Sequence, residues 1–235
     1  MTSKALELLR ASESNNDEGY VSLQSAPYRG HHLLVEAVLG AAPSGGRVFE
    51  GGVSSGYLAA VLTRAGLRVD GHELDPVAAG RARSVCEHVY VGDLQQFDVY
   101  ELEGTYDALL FGDTLEHVAD PAAVLRRLAT RLAPGGALVV SVPNVANWAI
   151  RLSLLAGRFR YTDRGILDRT HLRFYTRATL IEMIESAGFE VQRVVGTIPV
   201  PGVRSAPLAR VAHVVGNVWP SLFAYTFVVT ATLRR

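Results

Sequence analysis

From residue 46 onward, short β-branched and apolar runs alternate with longer segments in which apolar positions recur every three or four residues. That alternation predicts a mostly parallel sheet with helices packed on it. Strands are predicted at RVFEG (47–51), LRVDGHE (67–73), HVYVGD (88–93), YDALLFGD (106–113) and GALVVSVPN (136–144), with helices near 56–65, 76–84, 120–132 and 176–187. Asp120-Pro121 reads as an N-cap followed by proline in the first helical position, and Gly188 as a helix stop. Two further strands, FEVQRVVGTI (189–198) and FAYTFVVTATLR (223–234), flank a Pro-rich, partly apolar insertion. Residues 144–175 are too long for a simple connection, and segments of that kind usually cover or carry a site. Residues 1–45 are therefore expected to form an N-terminal helical cap on an α/β domain spanning 46–235, with a cover insertion at 144–175.

Composition narrows the classes. At 235 residues, 49% of them hydrophobic, the chain suffices for one domain with a sizeable core. Lys+Arg and Asp+Glu both number 23, so net charge gives no reason to expect nucleic acid or an anionic membrane as partner. A single cysteine, Cys86, excludes an internal disulfide framework or thiolate zinc site and points to a reducing, cytoplasmic setting. The N-terminus lacks the apolar core and small-residue cleavage site of a secretory signal. Prolines and arginines break the apolar C-terminal region, so no segment reaches the roughly 20 apolar residues of a membrane span.

The stretch RVFEGGVSSGYLAAVL (47–62) runs the first strand through a glycine and serine turn into a helix, which is where open parallel sheets cradle ligands. A dinucleotide pyrophosphate calls for G-x-G-x-x-G there. This chain has Glu50, Gly51, Gly52, Val53, Ser54, Ser55, Gly56. An acid at the strand end repels pyrophosphate and suits a ligand with an ammonium group. A turn that only packs helix on strand is the plain structural alternative.

The E-x-G-x-S-x-G pattern resembles the first motif of class I S-adenosylmethionine-dependent methyltransferases, with Ser54 in place of the central glycine. The resemblance implies a Rossmann-like, seven-stranded, mostly parallel sheet with an antiparallel last strand. It also implies that Glu50 approaches the ammonium of S-adenosylmethionine while Gly51, Gly52, Ser54 and Gly56 shape the turn. Glu73, at the end of the second strand and followed by Leu74, is placed to accept both ribose hydroxyl protons, as in nicotinamide enzymes. Asp93 matches the family position for the adenine amino group, with Leu94 giving a backbone donor and an apolar contact. The run YDALLFGDTLEHVADPAAVLRRLATRLAPGGALVVSVPN (106–144), with its LAPGG turn, is similar to the fourth and fifth strand region of the family and brings Gly112 and Asp113 to the donor. Tyr28 and Arg29 are expected to cap the carboxylate of the donor. His31 and His32 read as surface or capping residues ahead of an apolar helix.

Methyl transfer is an in-line displacement, so positioning alone can supply about 7 to 11 kcal/mol, and a base matters when the nucleophile must lose a proton. Asp113, Glu116 and His117 would share one face if GDTLEHV were helical, and His171 in the cover segment could meet them. The set resembles the metal-binding constellation of small-RNA 2'-O-methyltransferases and the E-x-x-E-H of ubiquinone-pathway O-methyltransferases. It would suit magnesium, manganese or zinc, but the metal-free reading is preferred. In that reading His171 is the first candidate for general base, His117 the second, and Asp113 an orienting carboxylate. Seven arginines between Arg151 and Arg177 face only Asp163 and Asp168. With Trp148, Phe159, Tyr161, Phe174 and Tyr175 they could form a pocket for a flat or glycosyl small-molecule acceptor bearing an anionic group, or a solvated face with structural ion pairs.

The functional expectation is transfer of a methyl group to oxygen, less readily to nitrogen, of a small metabolite. The segment from Val142 to Thr176 looks like methyltransferases of natural-product or glycan tailoring. The alternatives are a nicotinamide-dependent oxidoreductase, opposed by the missing phosphate turn, and a non-catalytic cofactor-binding partner subunit. The apolar tail around VAHVVGNVWPSLFAY (211–225) leaves a homodimer surface, an acceptor wall and ordinary core all open.

Overall fold

The computed structural model describes residues 4–13, 26–199 and 206–234. In chain order its elements are α1 (Lys4–Glu13), α2 (Gly30–Ala41), β1 (Arg47–Gly51), α3 (Tyr57–Arg64), β2 (Arg68–Glu73), α4 (Pro76–Ala82), β3 (His88–Val91), β4 (Tyr106–Gly112), α5 (Pro121–Ala129), β5 (Leu132–Pro143), α6 (Trp148–Leu155), α7 (Arg177–Ser186), β6 (Phe189–Thr197), α8 (Ala206–Gly216), α9 (Pro220–Phe223) and β7 (Thr226–Leu233). The strands form one sheet in the order β3-β2-β1-β4-β5-β7-β6. β1 to β5 run parallel, and β7 runs antiparallel to both neighbours. This is the Rossmann-like, seven-stranded arrangement with an antiparallel last strand that the resemblance implies.

The central strands are apolar almost throughout because helices cover both faces, the condition under which a strand loses its alternating pattern. Successive side chains still go to opposite sides. Phe49, Leu109 and Val140 join one core cluster with Leu125 of α5 and Leu180 of α7. Val48, Leu110 and Val139 join the other with Leu9 of α1, Leu34 of α2 and Leu58 of α3. Across β1, β2, β3 and β4 a buried acid ties the strands together: the Asp70 carboxylate accepts from Arg47 Nη2 at 2.6 Å and Tyr106 Oη at 2.7 Å, with His88 Nδ1 at 3.0 Å.

Local signals explain the helix ends. Asp120 caps α5 through the Ala123 N–H, and Thr176 and Thr179 form a reciprocal capping box on α7. The LAPGG segment differs from expectation. It is an irregularity inside β5, since Tyr106 pairs with Leu132 but Ala108 pairs with Ala137, and Gly135 absorbs the extra residues at positive φ. The insertion between β6 and β7 carries α8 and α9; its Pro201 and Arg204, like residues 1–3 and 14–25 of the expected cap, lie outside the described residues. The cover insertion begins with α6, none of whose residues is buried. His31 and His32 are not surface residues: both are buried in the first turn of α2. His31 shares a helix face with Leu34, Val35 and Val38, which pack on the sheet.

Candidate active site

The turn after β1 is held open by backbone geometry. Gly52 has φ +76°, and a Cβ there would lie 2.6 Å from Thr114 Oγ1. Its N–H and that of Val53 both donate to the His72 carbonyl, tethering the turn to β2. A Cβ on Gly51 would strike the Phe111 ring, and one on Gly56, itself at φ +83°, would meet Val85. Ser54, standing at the central position, adopts φ +51°, an αL conformation that costs an L-residue about 1–2 kcal/mol. Its N–H donates to Glu73 Oε2 at 2.7 Å.

Beyond the carboxyl ends of β1 to β4 lies a cavity of about 480 Å³ lined by Gly52, Ser54, Tyr57, Glu73, Leu74, Asp93, Leu94, Gly112, Asp113 and His117, among others. Glu73 is fixed in it by three backbone N–H groups, those of Ser54, Leu74 and Asp75. Asp93 accepts from the Gln95 N–H. Glu50 sits one residue before the end of β1, only 2% exposed, and its Oε2 has no hydrogen-bond partner among the described residues. Burial, helped by nearby Glu73, pushes its pKa up to about 8. A buried carboxyl with an unsatisfied oxygen fits a ligand that brings a cation and hydrogen-bond donors, as the α-ammonium of S-adenosylmethionine does. Gly52, Glu73 and Asp93 line this cavity and Glu50 is not among its wall residues; together they would hold that donor, which supplies an electrophilic methyl group when bound.

A second cavity, of about 970 Å³, opens beside the first. Its walls are Arg29 and His31 at the start of α2, Trp148 and Ile150 of α6, Arg164, Ile166 and Leu167 of the cover segment, Thr197 and Ile198 at the end of β6, and Phe223 and Tyr225 near β7. Asp113 and His31 line both cavities. Asp113 has φ +50°, and its Oδ1 accepts the Ser141 hydroxyl at 2.9 Å. Solvent reaches it through the cleft, yet the protein crowded around its carboxyl pushes its pKa up.

Three expected neighbours come together and one does not. Glu116, His117 and His171 offer donor atoms within 4.8 Å of one another. Asp113 is not in this group, because residues 115–117 form a single 3-10 turn rather than an α-helix and Asp113 precedes it in an αL conformation. Glu116 is 1% exposed and both its carboxyl oxygens lack hydrogen bonds among the described residues; burial, with Asp113 nearby, raises its pKa well above the usual carboxylate range. His171 Nδ1 bonds the Ile166 carbonyl at 3.2 Å, which leaves Nε2 facing Glu116 Oε1 at 3.9 Å. His117 lines the first cavity, while His171 is among the wall residues of neither. Arg29 lies on the second cavity, and Tyr28 stacks on His213 at 4.4 Å.

Sequence reasoning passed over Tyr57, His72, Thr114 and His31. Tyr57 and His72 carried no motif, and burial drives the His72 pKa down to about 4. His31 was legible in principle, since its spacing to Val35 and Val38 places it on the apolar face of α2.

Comparison with known proteins agrees with this geometry. Residues 26–194 match the methyltransferase domain family. The chain is 30% identical over 174 residues to the ubiquinone biosynthesis O-methyltransferase of Aeromonas salmonicida (strain A449), covering 71% of this chain and 69% of that one. It is 31% identical over 175 residues to the enzyme of the same name from Xanthomonas axonopodis pv. citri (strain 306), with 71% and 72% covered. Among solved structures it is similar to magnesium protoporphyrin IX methyltransferase from Synechocystis PCC 6803 with bound SAH, with TM-score 0.59, 17% identity, and 100% and 89% of the two chains covered. The fold and the ligand-ready turn define a class I S-adenosylmethionine-dependent methyltransferase. The chain belongs to the methyltransferase domain family and is distantly homologous to the ubiquinone biosynthesis O-methyltransferases. S-adenosylmethionine is its methyl donor.

Proposed function

We propose that the protein methylates a hydroxyl oxygen, in preference to an amine, of a small metabolite bound in the larger cavity. The observation that carries this reading is that Asp113 and His31 line both cavities, so a cavity suited to the donor adjoins an acceptor-sized chamber. Oxygen is favoured because the relatives at 30–31% identity are O-methyltransferases. Trp148 and Tyr225 suit a flat or glycosyl body, and Arg29 and Arg164 suit an anionic substituent. That combination fits natural-product or sugar tailoring in the cytoplasm, and the exposed apolar residues of α8, Leu208, Val211 and Val215, fit a homodimer. No helix among the described residues is long and apolar enough to cross a membrane.

In this reading the chain orients the acceptor, excludes water and removes a proton. Asp113, held by Ser141, is the acceptor-side carboxylate. His171 and His117 stand beside Glu116, whose raised pKa keeps its buried carboxyl protonated, with His171 Nε2 3.9 Å away and not hydrogen-bonded to it. A second reading puts a divalent cation at Glu116, His117 and His171, favoured by the two unpartnered oxygens of Glu116. The test is incubation with methyl-labelled S-adenosylmethionine and a panel of hydroxylated aromatic acids, sugar acids and matching amines. Label on a hydroxyl supports the proposal; label on amines alone, or on none while a nicotinamide cofactor is reduced, rejects it.

A further inference from the structure

His31 lies outside every motif of the chain, yet it lines both cavities, and among the described residues only Asp113 does the same. An in-line displacement needs the attacking atom, the methyl carbon and the sulfur in sequence, so a donor in one cavity and an acceptor in the other would have to react where the two adjoin, beside these two residues. His31 is 7% exposed, is fixed in the first turn of α2, and packs 5.2 Å from the ring of Tyr57, itself a wall of the donor cavity. Anchoring on a helix backed by the sheet limits the movement of its ring.

The chemistry of an imidazole at that place is specific. Burial drives its pKa down to about 4, so it is neutral at physiological pH. A cation there would oppose a sulfonium through like-charge repulsion. A neutral imidazole carries no such penalty and offers a hydrogen bond to a hydroxyl.

We propose that His31 is a positioning residue for methyl transfer: its imidazole holds the attacking oxygen of the acceptor where the cavities adjoin, while Asp113 takes the proton of that oxygen. The bond from the acceptor oxygen to the methyl carbon forms as the carbon–sulfur bond breaks, the sulfur keeps the electron pair and becomes a thioether, and the hydroxyl proton passes to the Asp113 carboxylate. This rests on the methyl-transfer reading and adds a residue and a role to it.

The test uses the full chain and needs no known acceptor. Histidine Cε1–H resonances are recorded with S-adenosylhomocysteine and then with S-adenosylmethionine, the His31 signal being assigned by its loss in His31→Gln and, should that variant not fold, in His31→Asn. The His31 signal is expected to shift with the thioether and to shift again with the sulfonium, while exposed His88 stays still. Calorimetry on His31→Lys is expected to show S-adenosylmethionine weakened about tenfold or more relative to S-adenosylhomocysteine, with His31→Gln restoring the wild-type ratio. Binding of both ligands with an unmoved His31 signal and an unchanged ratio in His31→Lys overturns this inference and leaves the donor reading intact. Absence of binding by either ligand overturns both.

Discussion

The carboxylate of Glu73 accepts the backbone N–H of Ser54 at 2.7 Å, so the residue placed for the ribose also fixes the turn placed for the methionine part. One side chain thereby couples the ends of β1 and β2. Removing it should loosen both halves of the donor site. Glu73→Ala is expected to weaken S-adenosylhomocysteine by about tenfold or more, the range for a lost charge-assisted hydrogen bond. Calorimetry checks this, and wild-type affinity in the variant would remove Glu73 from the site.

Glu50 makes donor binding and stability depend on pH in opposite directions. Its pKa stands at about 8 in the folded chain against 4.5 for the free group, so between those values the folded state holds a proton that the unfolded state has lost. Stability of the donor-free protein should therefore fall as pH rises from about 4.5 through about 8, by this group's contribution. Glu50→Gln should flatten that part of the profile. An ammonium favours the ionised carboxylate, so donor binding near neutral pH should release a proton. Thermal melts across pH check the first expectation and calorimetry in buffers of different ionisation enthalpy the second; equal pH slopes for wild type and Glu50→Gln would contradict both.

Gly52 and Ser54, both at positive φ in the turn, should respond oppositely to substitution. Gly52→Ala introduces a Cβ at φ +76° against Thr114, which should cost about 1–3 kcal/mol and impair donor binding. Ser54→Gly relieves an αL side chain, so its folded state should lose strain and its donor affinity should be retained. Denaturant unfolding of both variants reads the difference, and equal loss in the two would contradict the assignment of strain.

Glu116 distinguishes the metal-free reading from the cation reading. With no cation, Glu116→Gln removes a buried carboxyl whose raised pKa penalises ionisation, so it should raise stability at pH 8 more than at pH 5. Magnesium, manganese or zinc added to chelator-treated wild-type protein should then leave the melting temperature unchanged. A metal-dependent rise in wild type that disappears in Glu116→Gln and His171→Ala would establish the cation site instead.

The parallel core was legible because its signals are local. β-Branched runs between helical patterns marked the strands, and Glu50, Glu73 and Asp93 stand at or just beyond the carboxyl ends of β1, β2 and β3. The larger cavity was legible only in part. Trp148 was singled out in the cover segment, but Phe159, Tyr161, Phe174 and Tyr175 are not among the walls, while Ile198 and Tyr225 come from distant segments that only the tertiary fold brings to it, and no spacing connects them. Asp113 departed from the expected helical face because one αL residue at the end of β4 changes the direction of the chain. The burial of His31 was legible from its spacing to Val35 and Val38, but its place beside both cavities was not, because Asp113 and the cavity walls come from distant parts of the chain.

The most direct measurement is calorimetric titration of the purified chain with S-adenosylhomocysteine, with NADH run in parallel. Saturable binding at one site per chain, weakened in Glu73→Ala and absent with NADH, is the predicted result. No heat with the thioether, or binding of NADH in its place, would contradict the account.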